Sequence, residues 1–242
     1  MKYLYKFSTL DFLTFTENEG LTNWWIYNKE PLERFNSIKN TTYLETLQNF
    51  AKKTNIKASN EELVSWIDNI QMIYSSLGCA YEILNDKDKT TKILDQIEII
   101  AEYHIPYSNA RADIIMIKDN KILIIELSYK KEYMSRKDKY EEKLNQVMYY
   151  KELLENTLPR HLEIATYSFP IEPETDKYGY PEKVESKFTK KKTFKNFDSC
   201  YYLGKYIIDF FKHTNKSALQ ELEEIKNDCI IENSKDKKFE KK

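Results

Sequence analysis

The sequence predicts an α/β protein in which a mostly helical N-terminal lobe leads into a strand-rich core. Three observations carry that prediction. Apolar residues between Asn60 and Gly78 recur at three- and four-residue spacing, as in an amphipathic helix. At Ile97 the pattern changes to three β-prone runs, IEIIAEYHIPY, ARADIIMI and KILIIELSY, joined by short connections. A helical stretch, SRKDKYEEKLNQVMYYKELLEN, and a fourth strand, HLEIATYSFP, follow them. With 242 residues, 41% hydrophobic and 32% charged, and only four glycines and six prolines, the chain is expected to fold as one cooperative unit rather than to be disordered.

Taken in order, residues 1–95 are the helical lobe. NWWIYNKEPLERF holds Trp24 and Trp25, which are expected to dock the lobe, and TTYLETLQNFAKKTN repeats the helical pattern. Asn60, Glu61 and Glu62 open the strongest helix, the first core helix at about 60–77. Leu63, Trp66, Ile67, Ile70, Ile73, Tyr74 and Leu77 form its stripe, and Gly78 closes it. Cys79 to Asn85 fits either a turn or a continuation. Residues 96–170 form the α/β core. Lys118-Asp119-Asn120 is a turn signal, and Ile122 to Leu127 is apolar on both parities except at Glu126, which predicts a central strand covered on both faces. The helix after it places Tyr140, Leu144, Val147 and Leu154 on its core stripe and ends before Pro159. Residues 171–228 are an extension with a lysine-rich loop and closing helices at Cys200 to Phe211 and Ala218 to Ile225. Residues 229–242 are a charged tail.

Composition excludes several chemistries. Lys and Arg number 38 against 39 Asp and Glu, so a uniformly basic nucleic-acid coat is excluded and only a local basic groove is left. Cys79, Cys200 and Cys229 have no CxxC spacing and read as buried or free thiols, and His104, His161 and His213 are equally scattered, so neither a zinc site nor a Cys-His pair is indicated. Four glycines do not build a phosphate-cradling loop. No apolar run approaches the roughly 18 residues of a membrane span, and MKYLYKFSTLDFLTF is too polar for a signal peptide, so a cytoplasmic protein without a membrane partner is expected. The 19 tyrosines and 12 phenylalanines read more simply as core and edge residues than as base-stacking platforms. Chemistry must come from carboxylates, lysines and amides.

Those groups concentrate in one stretch. Asp113 lies near the start of the second strand and Glu126 near the end of the third, so a hairpin turning at Asp119-Asn120 brings them face to face. Two carboxylates meeting there repel and call for a cation, and a hard, oxygen-preferring ion such as Mg²⁺ (or Mn²⁺) is the natural partner. Gln146 and Tyr150, four residues apart, share a face of the following helix and would contact a phosphate or orient the attacking water. Arg111 shares strand parity with Asp113 and offers a fixed positive charge for a phosphodiester. Singly, each has a plainer reading: a strand-edge acid, a strand-end acid facing water, a helix surface. Their coincidence in this order carries the argument.

Arg-Ala-Asp at 111–113, Ile-Ile-Glu-Leu-Ser at 124–128 and Gln-Val-Met-Tyr-Tyr at 146–150 together resemble the PD-(D/E)XK nuclease superfamily, in its RecB-like branch with a QxxxY motif, over about Ile97 to Phe169. The resemblance implies a restriction-endonuclease-like core, a mixed central sheet flanked by helices in αβββαβ order. It also implies hydrolysis of DNA or RNA, with Asp113 and Glu126 holding Mg²⁺. A helix ahead of the first strand often adds another acid in that family. Glu62 is the first choice for it, Glu82 the alternative and Glu102, in the first strand, a third candidate. One departure stands out: the family's lysine two residues after the second acid is Ser128 here. Lys130 shares that strand parity and would replace the missing amine, whereas Lys131 would point to the opposite face. The competing explanation is an impaired site whose fold binds nucleic acid or a protein without cutting; a third reading makes the helical lobe the working surface of a structural subunit. Nucleic acid, DNA first, is the expected partner. Its expected contacts are Arg111, Ser128 and the strip at Lys190, Lys191 and Lys192, for which a solvated loop is the plainer reading.

Overall fold

The computed structural model describes residues 2–20, 35–36, 38–129, 136–158, 162–171, 174–175, 181–185, 193–194 and 196–212. Lys130, Lys131, Lys190, Lys191, Lys192, Trp24, Trp25, the helix expected at Ala218 to Ile225 and the tail lie outside them. In chain order the elements are β1 (Tyr5–Ser8), α1 (Thr9–Asn18), α2 (Thr42–Thr54), α3 (Asn60–Leu84), α4 (Lys87–Ile93), β2 (Glu98–His104), β3 (Arg111–Lys118), β4 (Lys121–Tyr129), α5 (Arg136–Thr157) and β5 (Glu163–Ile171). The short strands β6 (Glu174–Thr175), β7 (Pro181–Glu185) and β8 (Thr193–Phe194) follow, and then α6 (Asn196–Phe211).

The fold is α/β, built on a five-stranded mixed sheet in the order β1-β2-β3-β4-β5. The first four strands pair antiparallel, and β5 joins β4 in parallel after the α5 crossover. Helices cover both faces. On one side Ile99, Ile114, Met116, Leu123 and Ile125 pack with Leu63, Ile67 and Ile70 of α3 and Leu203 and Ile207 of α6. On the other side Ile100, Ile115, Ile117, Ile122 and Ile124 pack against Val147, Tyr150 and Leu154 of α5. Ile122 to Glu126 are fully buried, as the two-parity apolar run of the third strand predicts. Each such aliphatic side chain contributes roughly 1.5–3 kcal/mol through burial.

One expectation is corrected. The first core helix does not close at Gly78 but runs to Leu84, where Asn85 ends it in a left-handed conformation with φ of 40°. An interior glycine costs only about 1 kcal/mol relative to alanine, and the buried Cys79 and Ala80 beyond it supply enough packing to carry the helix onward. The N-terminal region also contributes one strand. The four residues of β1 add an edge strand to the sheet, with Tyr5 opposite Ala101 and Ser8 opposite Glu98. The helix α6 crosses α3 closely enough that a Cβ on Gly204 would lie 2.4 Å from the Ser76 carbonyl, so only glycine fits there. Trp66 is a core residue, and Cys79 and Cys200 are buried free thiols, as expected. Among the described residues, no helix is long and apolar enough to cross a membrane.

Candidate functional site

The site begins with a shared defect in two strands. Ladder pairing between β2 and β3 runs from Glu98↔Ile117 to Ala101↔Ile114 and resumes at Tyr103↔Ala112, with no pair at Glu102 and Asp113. Residues two apart in a regular strand share a face. Here Ala101 and Ile114 pack on the α3 side, while Tyr103 and Ala112 pack on the α5 side. Both strands therefore slip by one residue at the same place, and the register survives because the slips cancel. Glu102 makes its slip with φ of 54°, a left-handed conformation that costs a β-strand glutamate on the order of 1 kcal/mol or more.

The Asp113 N–H, released from the ladder, donates to Glu126 Oε1 at 2.9 Å. This places the two expected carboxylate residues together, at the interrupted end of the β3–β4 hairpin. Glu126 is wholly buried, and its other oxygen, Oε2, lies 2.9 Å from the Nζ of Lys143 on α5. The Lys143 side chain is only 12% exposed. Gln146 and Tyr150 lie three and seven residues further along, on the same helical stripe. The Gln146 amide Nε2 donates to the Tyr150 hydroxyl at 2.6 Å.

Arg111 is a clamp. Its NH2 group meets Glu62 Oε1 at 2.7 Å and its Nε meets Glu102 Oε2 at 2.6 Å. Glu62 also caps α3: its Oε2 accepts the Ser59 N–H at 2.8 Å while the Glu62 N–H donates to Ser59 Oγ at 3.1 Å. The start of α3 is thus tied through Arg111 to the buried Glu102. Glu82, by contrast, is exposed and lies twenty residues along the same helix from Glu62, about 30 Å at 1.5 Å per residue. Ser128 lies in β4, and Lys130 falls outside the described residues.

Burial and like charge dominate the electrostatics. Burial, then the charge of Asp113, pushes Glu126 up to about 8, against the pull of Lys143 and the Asp113 N–H. Glu102 is held well above the usual carboxylate range by burial and by Asp113, with Arg111 opposing. Burial would lower Lys143, but Glu126 and Asp113 outweigh it and keep the amine charged. Burial also works to raise Glu62, yet its cap bonds to Ser59 and its pairing with Arg111 hold it below the ordinary value.

Among the described residues, no three Asp, Glu, His or Cys side chains are arranged to hold one ion. The donor chemistry nevertheless fits a hard divalent cation. When ionised, the carboxylates of Glu62, Glu102, Asp113 and Glu126 outnumber Arg111 and Lys143 by two negative charges, and the ligand atoms available are all oxygens. The raised values of Glu102 and Glu126 reflect how strongly burial and neighbouring charge disfavour this much negative charge.

Sequence reasoning missed Lys143, although its spacing from Gln146 and Tyr150 was visible. No family model, curated protein or solved structure matches the chain.

Proposed function

We propose that the chain is a divalent-metal-dependent nuclease of PD-(D/E)XK type, of the RecB-like branch, hydrolysing phosphodiester bonds of DNA or RNA. The observation that carries this reading is the meeting of Asp113 with the buried Glu126, beside the place where β2 and β3 give up the Glu102–Asp113 ladder pair. Asp113 and Glu126 are the residues that would hold Mg²⁺ or Mn²⁺. Such an ion supplies positive charge for the phosphodiester oxygens and eases ionisation of the attacking water.

The chain's own residues set the geometry around that chemistry. The Asp113 N–H orients the Glu126 carboxylate. Arg111, engaged on two sides, fixes Glu102 and the start of α3 more than it offers itself to a phosphate. Gln146 and Tyr150 form a hydrogen-bonded wall on α5, close enough for Tyr150 to feel the charges of Glu126, Lys143 and Asp113. The restriction-endonuclease-like form of the sheet and the order αβββαβ from α3 to β5, with the short α4 interposed, belong to the same proposal.

A second reading, an impaired module that binds nucleic acid or a protein, draws on one observation: both Glu126 oxygens already have partners inside the chain. Cleavage assays separate the two. The full chain is incubated with linear and circular duplex DNA, single-stranded DNA and RNA under Mg²⁺, Mn²⁺ or a chelator. The nuclease reading expects metal-dependent cutting that Asp113→Ala or Glu126→Ala lowers by at least about 10²-fold. Tight binding with no cutting in either metal would instead establish the binding module.

A further inference from the structure

We propose that Lys143 is the catalytic amine of this site, its ammonium contacting the non-bridging oxygens of the scissile phosphodiester while Glu126 holds it. The inference rests on the nuclease reading above and assigns the positive side chain that reading lacks once Ser128 stands at the usual lysine position.

Among the described residues, Arg111, Lys118 and Lys121 are each held at two points. Arg111 spends Nε and NH2 on Glu102 and Glu62. At the far end of the sheet, Lys118 donates to the Lys92 and Ile93 carbonyls and Lys121 to that of Phe210. Lys143 differs. An ammonium has three N–H donors, and Glu126 Oε2 takes one. Asp113 and Tyr150 also act on its charge, so the amine stands among the proposed metal-holding acids and the Gln146–Tyr150 wall. The helix positions it rigidly, because the fully buried Val147, one turn on, anchors that stripe of α5 to the sheet.

In the step itself, a water oxygen forms a bond to phosphorus and the bond from phosphorus to one sugar oxygen breaks. One water proton goes to solvent, and the leaving oxygen takes a proton from solvent. Lys143 keeps its own protons throughout and stabilises the negative charge that builds on the non-bridging oxygens.

The test compares wild type, Lys143→Gln, Lys143→Arg and Lys130→Ala as full chains. Lys143→Gln keeps a donor for Glu126 but removes the charge. Three quantities are read: the single-turnover cleavage rate on labelled DNA and RNA, Mn²⁺ affinity by calorimetry, and thermal unfolding. The proposal expects Lys143→Gln to cut about 10²–10³-fold more slowly, with Mn²⁺ affinity kept or tightened, and Lys143→Arg to recover part of the rate. A purely structural lysine would not give that combination. The proposal is overturned if Lys143→Gln cuts within about threefold of wild type, or if its rate falls only together with Mn²⁺ binding and folding. A rate carried instead by Lys130 also overturns it while leaving the nuclease reading intact. Absence of cutting by wild type retires both.

Discussion

The two ends of the central sheet both bury charge, but in opposite ways. At the β3–β4 turn, Lys118 donates to the Lys92 and Ile93 carbonyls at the end of α4. Lys121 donates to the Phe210 carbonyl at the end of α6 at 2.6 Å, pairs with Glu163 at 3.1 Å and sits over the Phe210 ring. Cations at helix C-termini complement the helix dipole and satisfy carbonyls that have no partner within the helix. At the other end, Glu102, Asp113 and Glu126 crowd together, and each raises the cost of ionising another. One end is arranged so that its charges are met by the fold. At the other, Arg111 and Lys143 meet the acids but are outnumbered by them, and burial with mutual repulsion holds Glu102 and Glu126 above the usual carboxylate range.

The two ends differ most in their response to pH. The value of about 8 for Glu126 means that the metal-free folded chain keeps a proton which the unfolded chain has already released above the ordinary carboxylate range. This group's contribution to stability is therefore greatest at low pH and declines as pH rises toward 8, with a slope on the order of 1 kcal/mol per pH unit. Thermal unfolding of the metal-free chain between pH 5 and 8 should show the decline, and Asp113→Asn, which removes the neighbouring charge but not the burial, should end it at a lower pH. A profile that Asp113→Asn leaves unchanged would mean that the acids do not repel.

The lysine end should behave as the mirror image. Lys121→Met leaves the Phe210 carbonyl without its donor and should cost about 1–3 kcal/mol in chemical denaturation, while the cleavage rate per folded molecule stays the same. A smaller effect is expected at the entry to the acid end. Ser59→Ala removes half of the α3 capping box and should lower stability by about 1 kcal/mol, with Glu62 still held by Arg111.

These regions also differed in how far they could be read from residues alone. The central strand and its turn were legible because Ile122 to Glu126 is apolar on both parities and Asp119-Asn120 marks a tight reversal. That placed Asp113 beside Glu126. Gln146 and Tyr150 followed from helical spacing. The slip at Glu102 was not legible, since its surroundings, Ile-Ile-Ala-Glu-Tyr, read as an ordinary buried strand and a left-handed φ leaves no trace in them. Nor was β1, four residues whose partners lie ninety or more positions away. Lys143 stood among the several charged residues of a polar helix, and only the packing of α5 on the sheet singles it out.

A divalent cation held at the acid end, as proposed, would bind with loss of protons from the acids. Calorimetric titration of Mn²⁺ into the full chain at pH 8, in buffers of different ionisation enthalpy, tests this most directly. The account predicts binding that releases protons from the acids and that Asp113→Asn abolishes. No binding, or binding indifferent to Asp113→Asn and without proton release, would contradict it.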